Sequence, residues 1–212
     1  MSGEAFSGQP VILAMTGASG AAYGLRLLDC LIQARRPVYF LLSKAAQIVL
    51  SMETDLGLPS KPAAMARELG SRYGAAAGQI QVLGQDQWTA PVASGSHRAR
   101  QMVICPCTTG TLAAVARGSS DNLIERAADV MIKERRELIL VLRETPLSSI
   151  HLANMLELSR AGVTIMPASP GFYHRPQGID DMVDFMVARI LDHLQIPHSL
   201  IGRWGLDDEQ SF

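Results

Sequence analysis

Short runs of β-branched and other apolar residues recur along the chain, each followed by a longer stretch whose apolar positions repeat every three or four residues. That alternation predicts parallel strands joined by helical crossovers. Strands are expected at 10–16, 37–42, 79–83, 101–105, 138–142 and 163–166, and helices at 19–34, 44–53, 62–70, 108–116, 121–135, 148–161 and 179–194. The fold class is therefore α/β: a Rossmann-like, doubly wound, mainly parallel six-stranded sheet with helices on both faces. Ligands of such sheets sit outside the carboxyl ends of the strands. Chemistry is accordingly expected in the segments that follow them: MTGASG, SKAA, WTAPVASGS, CPCTTGT, RETPL and MPASPGFYHRPQ.

Composition narrows the picture. A chain of 212 residues, 48% hydrophobic and 18% charged, suits one domain spanning 1–212, with about 205–212 as a flexible tail. The net charge of −1 draws the protein neither to nucleic acid nor to anionic lipid. No apolar run approaches the roughly 20 residues that span a bilayer, and the start MSGEAFSGQ lacks the basic-then-apolar order of a signal peptide. A cytoplasmic protein is expected. Its three cysteines, Cys30, Cys105 and Cys107, have neither CxxC spacing nor a nearby histidine partner, and read as packing residues in a reducing compartment.

The first post-strand segment has the pattern GxxGxxxG at Gly17, Gly20 and Gly24. Small residues at a strand-to-helix turn let backbone N–H groups approach a phosphate or a flat ring, although a tight turn without a ligand fits as well. Dinucleotide sites usually place an acid at the end of the second strand to hold the ribose. Here that strand ends in Ser43 and Lys44, which shifts weight from NAD to a mononucleotide. Thr108, Thr109, Gly110 and Thr111 open the helix after the fourth strand as a second donor-rich turn, with simple N-capping as the alternative. Arg126 and Lys133 are seven apart on one helix, a spacing that suits a phosphate monoester or merely a solvated basic face. Arg143 and Glu144 follow the fifth strand; if buried, Glu144 must lie beside a cation or titrate high. Tyr173 and Arg189 are further phosphate-donor candidates, and His174 is a loop histidine given no role. The acidic run DDMVD at 180–184 imitates a Mg²⁺-diphosphate motif but opens a helix, where capping explains it, so no metal is expected.

Together, MTGASGAAYGLRLL, SKAA, ASGS with Trp88 upstream, CPCTTGTL, ERAADVMIKERR, RETPLSSIHLANM and PGFYHRPQ make the chain from about Val11 to Trp204 resemble the flavin prenyltransferases, the UbiX-like branch of a family that also holds cysteine decarboxylases. The resemblance implies an enzyme that joins a dimethylallyl group from dimethylallyl phosphate to N5 and C6 of reduced FMN, making prenylated FMN for a UbiD-type decarboxylase, in ubiquinone synthesis or aromatic-acid metabolism. It implies FMN contacts at Gly17, Ala18, Ser19, Ser43, Thr108, Thr109, Gly110, Thr111 and Arg143. It assigns the prenyl phosphate to Arg126, Lys133, Tyr173 and Arg189, and acid/base work to Glu144, with Ser19 near the reacting flavin edge. Trp88 would border the prenyl chain, but a cation–π contact of about 2 kcal/mol is only some 30-fold in rate, so alignment and leaving-group stabilisation by Lys133 and the arginines must supply more. A homododecamer with sites lined by neighbouring subunits is implied too. Leu142 precedes the RE dipeptide where several family members carry Pro, a mild departure. The competing expectations are an FMN-dependent decarboxylase of a cysteine-type substrate and a non-catalytic flavin-binding subunit.

Overall fold

The computed structural model describes residues 6–202; Trp204 and the 205–212 tail lie outside the described residues. Six strands alternate with seven α-helices: β1 (Val11–Met15), α1 (Ala21–Gln33), β2 (Val38–Leu42), α2 (Lys44–Glu53), α3 (Pro62–Tyr73), β3 (Ile80–Leu83), β4 (Gln101–Cys107), α4 (Thr109–Ala116), α5 (Leu123–Lys133), β5 (Glu137–Leu142), α6 (Ser149–Arg160), β6 (Thr164–Pro167) and α7 (Ile179–His193). A short 3-10 turn, Pro91–Ala93, lies between β3 and β4. The strand order is β3-β2-β1-β4-β5-β6, and every pairing among the described residues is parallel. This is the doubly wound arrangement expected, with its switch point between β1 and β4.

Both faces of the sheet are covered, which is why the strand runs are apolar throughout rather than alternating. On one face Leu13 and Met15 pack with Leu27, Leu31, Leu69, Met186 and Ile190 from α1, α3 and α7. On the other, Ile12 and Ala14 pack with Leu112, Ala127, Met131 and Leu158 from α4, α5 and α6. Element ends differ from expectation by a few residues, for local reasons. Helix α1 starts at Ala21 because Gly20, at φ +109°, breaks the turn before it. Strand β4 runs on to Cys107, past the point where Pro106 removes a ladder N–H. Cys105 and Cys107 are fully buried, and burial pushes both thiols up, Cys107 to about 12, so they pack as neutral side chains.

Gly24 is where α1 sits tightest on the sheet. A Cβ there would lie 2.4 Å from the carbonyl oxygen of Cys105 and 2.7 Å from the Met15 methyl. Backbone cannot yield as a flexible side chain can. Gly24→Ala is therefore expected to lower the unfolding free energy by about 1–3 kcal/mol despite alanine's better helix propensity. A denaturant midpoint unchanged or raised would contradict this close packing.

Candidate active site

Three loops leave the carboxyl ends of β1, β2 and β4 side by side, and the backbone ties them together. Ser43 N–H donates to Met15 O (3.0 Å), and Thr16 N–H donates to Pro106 O (3.0 Å). Between the loops lies a cavity of about 140 Å³ lined by Thr16, Gly17, Ser43, Thr108, Thr111 and Asn122, with Ala45, Gln85 and Ile124. Gly17 keeps it tight: a Cβ there would stand 2.4 Å from the Ala45 Cβ. The starts of α2, α4 and α5 all open onto this space. Their caps are complete: Ser43 Oγ accepts from Ala46 N–H, Thr108 Oγ1 from Thr111 N–H, and Asn122 Oδ1 from Ile124 and Glu125 N–H. The amides of Lys44, Ala45, Thr109 and Gly110 find no acceptor among the described residues. Two helix N-termini with free amides make an anion site in a protein that lacks net positive charge.

The start of α1 is different, and here the reading of the glycine turn as a phosphate cradle changes. Glu53, the last residue of α2, accepts from Gly20 N–H (2.9 Å) and Ala21 N–H (2.8 Å) and is hydrogen-bonded to Ser19. A carboxylate of the chain itself thus takes the place an external anion would have. Desolvation works against its charged form, but the bonds from Ser19, Ala21 and Gly20 and the charge of Arg143 outweigh it and hold the carboxyl below its usual range. Glu53 was missed in the sequence because it ends an ordinary amphipathic helix, 32 residues from the amide of Ala21 that it meets. Of the residues expected in the site, Ser19 is bonded to it and Arg143 acts on it through its charge.

The remaining expected residues are distributed. Arg143, half-buried, donates its backbone N–H to Cys107 O, and its Nε is buried with no partner among the described residues. Glu144 is exposed, and Thr145 N–H donates to its Oε1 (3.1 Å), so the premise of a buried acid does not hold in the single chain. Trp88 is 48% exposed in the loop after β3. Arg126 and Lys133 project from α5, and Arg189 from α7; Tyr173 lies edge-on to Phe185 of α7, with ring centroids 5.6 Å apart. Since α5 and α7 cover opposite faces of the sheet, the two pairs stand on the order of 20 Å apart, two layer spacings. No single phosphate can touch all four in one chain. Each cation meanwhile pairs with an acid of its own helix: Arg126 with Asp129, Lys133 with Glu134, Arg189 with Asp192. Such half-exposed pairs are weak and re-pair readily. His174 stacks on Phe185, centroids 5.2 Å apart. In DDMVD, Asp181 accepts from Gln177 N–H and Asp184 binds Arg26 at 2.7 Å, so two of its acids have structural partners. Among the described residues no group of three or more His, Cys, Asp or Glu could hold a metal.

The fold and the paired helix N-termini at its switch point define an α/β protein built to hold a phosphorylated ligand. The model of the Flavoprotein family matches residues 2–191, and the chain belongs to that family, within its flavin prenyltransferase branch. It is 64% identical to the flavin prenyltransferase UbiX of Pseudomonas aeruginosa over 92% of this chain and 93% of that one. It is 44% identical to the UbiX of Methanothermobacter thermautotrophicus over 92% and 94%. Among solved structures, AnUbiX (PadA1) in complex with FMN and dimethylallyl pyrophosphate superposes with a TM-score of 0.82 at 41% identity, over 92% of this chain and 97% of that one. A dodecameric FMN-dependent UbiX-like decarboxylase from Escherichia coli O157:H7 gives 0.81 at 38% identity, over 92% and 98%.

The Glu53 cap has a pH signature. Its carboxyl is held below the unfolded value of about 4.3, so its contribution is complete above that pH and is lost as pH falls through the lowered folded value. Glu53→Ala should cost about 1 kcal/mol of stability at pH 7, the usual worth of a helix cap. The gap between wild type and variant should close below about pH 4. A gap that widens on acidification would contradict the assignment.

Proposed function

We infer that the protein is a flavin prenyltransferase, joining the dimethylallyl group of dimethylallyl phosphate to N5 and C6 of reduced FMN and supplying the prenylated flavin to a UbiD-type decarboxylase. The observation that carries this is the site itself: two helix N-termini with free first-turn amides on a crevice, in a chain 64% identical to a UbiX flavin prenyltransferase. The rival decarboxylase of cysteine-type substrates has weaker support, its similar structures falling to 20% identity, where only the fold is shared.

The FMN phosphate belongs in the crevice, on the free amides of Lys44, Ala45, Thr109 and Gly110, with Ser43, Thr108 and Thr111 at its walls and Gly17 and Ala18 leaving room for the flavin. A space of about 140 Å³ is smaller than the roughly 300–1,000 Å³ of whole-ligand sites, so the flavin ring extends past it to the rim. There the Ser19 hydroxyl donates a hydrogen bond to Glu53, which stays ionised because its pKa is lowered, and the charge of Arg143 favours that ionised form. The prenyl phosphate is gripped by Arg126 and Lys133 of one copy and Tyr173 and Arg189 of another, which supports a homododecamer. Exposed apolar side chains suit this assembly: Ile150, Leu152 and Leu156 on α6, and Ile48 and Met52 on α2. Cations on the departing phosphate ease allylic C–O cleavage without a metal. Glu144, desolvated by a neighbouring copy, moves a proton to that phosphate or from the flavin carbon, while Trp88 borders the prenyl chain. A cytoplasmic location is part of this proposal, consistent with three free cysteines.

Purified protein given reduced FMN and dimethylallyl phosphate without oxygen is expected to yield a flavin heavier by one prenyl unit, by mass spectrometry. Unmodified flavin after exhaustive incubation, with FMN bound, sinks the proposal. Added EDTA should leave the yield unchanged; loss of product restored by Mg²⁺ would give DDMVD a metal after all. Glu144→Gln should keep FMN affinity and slow turnover by about 100-fold or more. Wild-type turnover in that variant would remove Glu144 from the mechanism.

A further inference from the structure

We propose that Thr16 is a positioning residue whose hydroxyl clasps the loop after β4 to the loop after β1, setting the spacing of the two halves of the FMN cradle. The inference rests on the FMN reading above. Strand β1 pairs with β4 only as far as Ala14 opposite Ile104, and beyond Ile104 β4 also shifts its register against β5, before Cys107. Pro106 has no N–H with which to continue a ladder. Thr16 takes over where the ladder stops. Its N–H and its Oγ1 both donate to Pro106 O at 3.0 Å, and the same Oγ1 accepts from Thr108 N–H at 2.8 Å. One proton and one lone pair are used at once, which a hydroxyl can supply and a methyl group cannot.

Both loops inherit their position from this atom. Thr108 is the N-cap of α4, and its Oγ1 accepts from Thr111 N–H and donates to Thr111 Oγ1, each at 3.0 Å, so a displaced Thr108 carries the first turn of α4 with it. On the other side Ala18 N–H donates to Thr16 O at 2.9 Å, folding the Gly17–Ser19 turn over the same residue. Thr16 is only 4% exposed, so water cannot substitute for a lost partner, and it still borders the cavity. Its hydroxyl is thus committed to the protein. It shapes the cradle without being spent on the ligand.

Thr16→Val keeps the shape and removes both side-chain bonds, whereas Thr16→Ser keeps both bonds and removes a methyl. Fluorescence titration with FMN is expected to give affinity about 10- to 100-fold weaker for valine and within about 3-fold of wild type for serine. The KM for dimethylallyl phosphate should stay within about 3-fold in both, since Arg126, Lys133, Tyr173 and Arg189 lie on other elements. Valine binding FMN as tightly as wild type, or serine as weakly as valine, overturns the proposal. If the valine variant does not fold, wild-type amide exchange decides: Thr108 N–H is expected to exchange at least about 100-fold more slowly than an unstructured amide, and unprotected exchange overturns the clasp. A wild-type protein that binds no FMN would refute the functional reading instead, leaving the exchange result to judge the clasp alone.

Discussion

Right-handed crossovers are the constraint from which the rest of this molecule follows. Because β1 feeds α1 on one face and β4 feeds α4 on the other, the connections diverge at the β1–β4 boundary and leave a crevice between them. Neither strand chose the crevice; the strand order did. The Gly17 turn, Ser43 and the Thr108 cap line that opening. Polar groups are tolerated there because the loops satisfy one another: Thr16 closes on Pro106 and Thr108, and Ser43 on Met15.

Within the crevice, electrostatics divides the helix N-termini into two kinds. One is already neutralised, with Glu53 on the first amides of α1. The others, on α2 and α4, keep free N–H groups beside their caps. An incoming anion is thereby directed to α2 and α4 and kept off α1, where a second negative charge would meet Glu53. The same carboxylate reaches Ser19 and feels Arg143, so a capping residue also sets the polarity of the rim. Structural and chemical roles are combined in one side chain, which is economical in a chain carrying only 20 acids.

The outer cations obey a different logic. Arg126, Lys133 and Arg189 rest in ion pairs with acids on their own helices, on opposite faces of the sheet. Pairs so exposed are weak and exchange partners easily, which keeps long basic side chains ordered without fixing them. The proposed grip of these groups on one prenyl phosphate requires apposition of separate copies, and the exposed apolar side chains of α6 and α2 offer a surface suited to it.

Strand and helix positions were legible because burial on both sides of a parallel sheet writes unbroken apolar runs, and helices write a three-to-four period. The Gly17, Thr108 and Arg143 segments were legible because the carboxyl ends of strands in a doubly wound sheet are the place to look. By itself, then, the sequence determined the α/β architecture, the loops that face the site, and the family motifs they carry. Glu53 could not be found that way, since nothing local separates it from other surface acids, and Thr16 reads as the last residue of a strand. Nor does the chain announce that α5 and α7 lie on opposite faces. Those matters were decided only by tertiary structure, because hydrogen bonds between residues 33 or 92 apart in sequence leave no periodic trace along it.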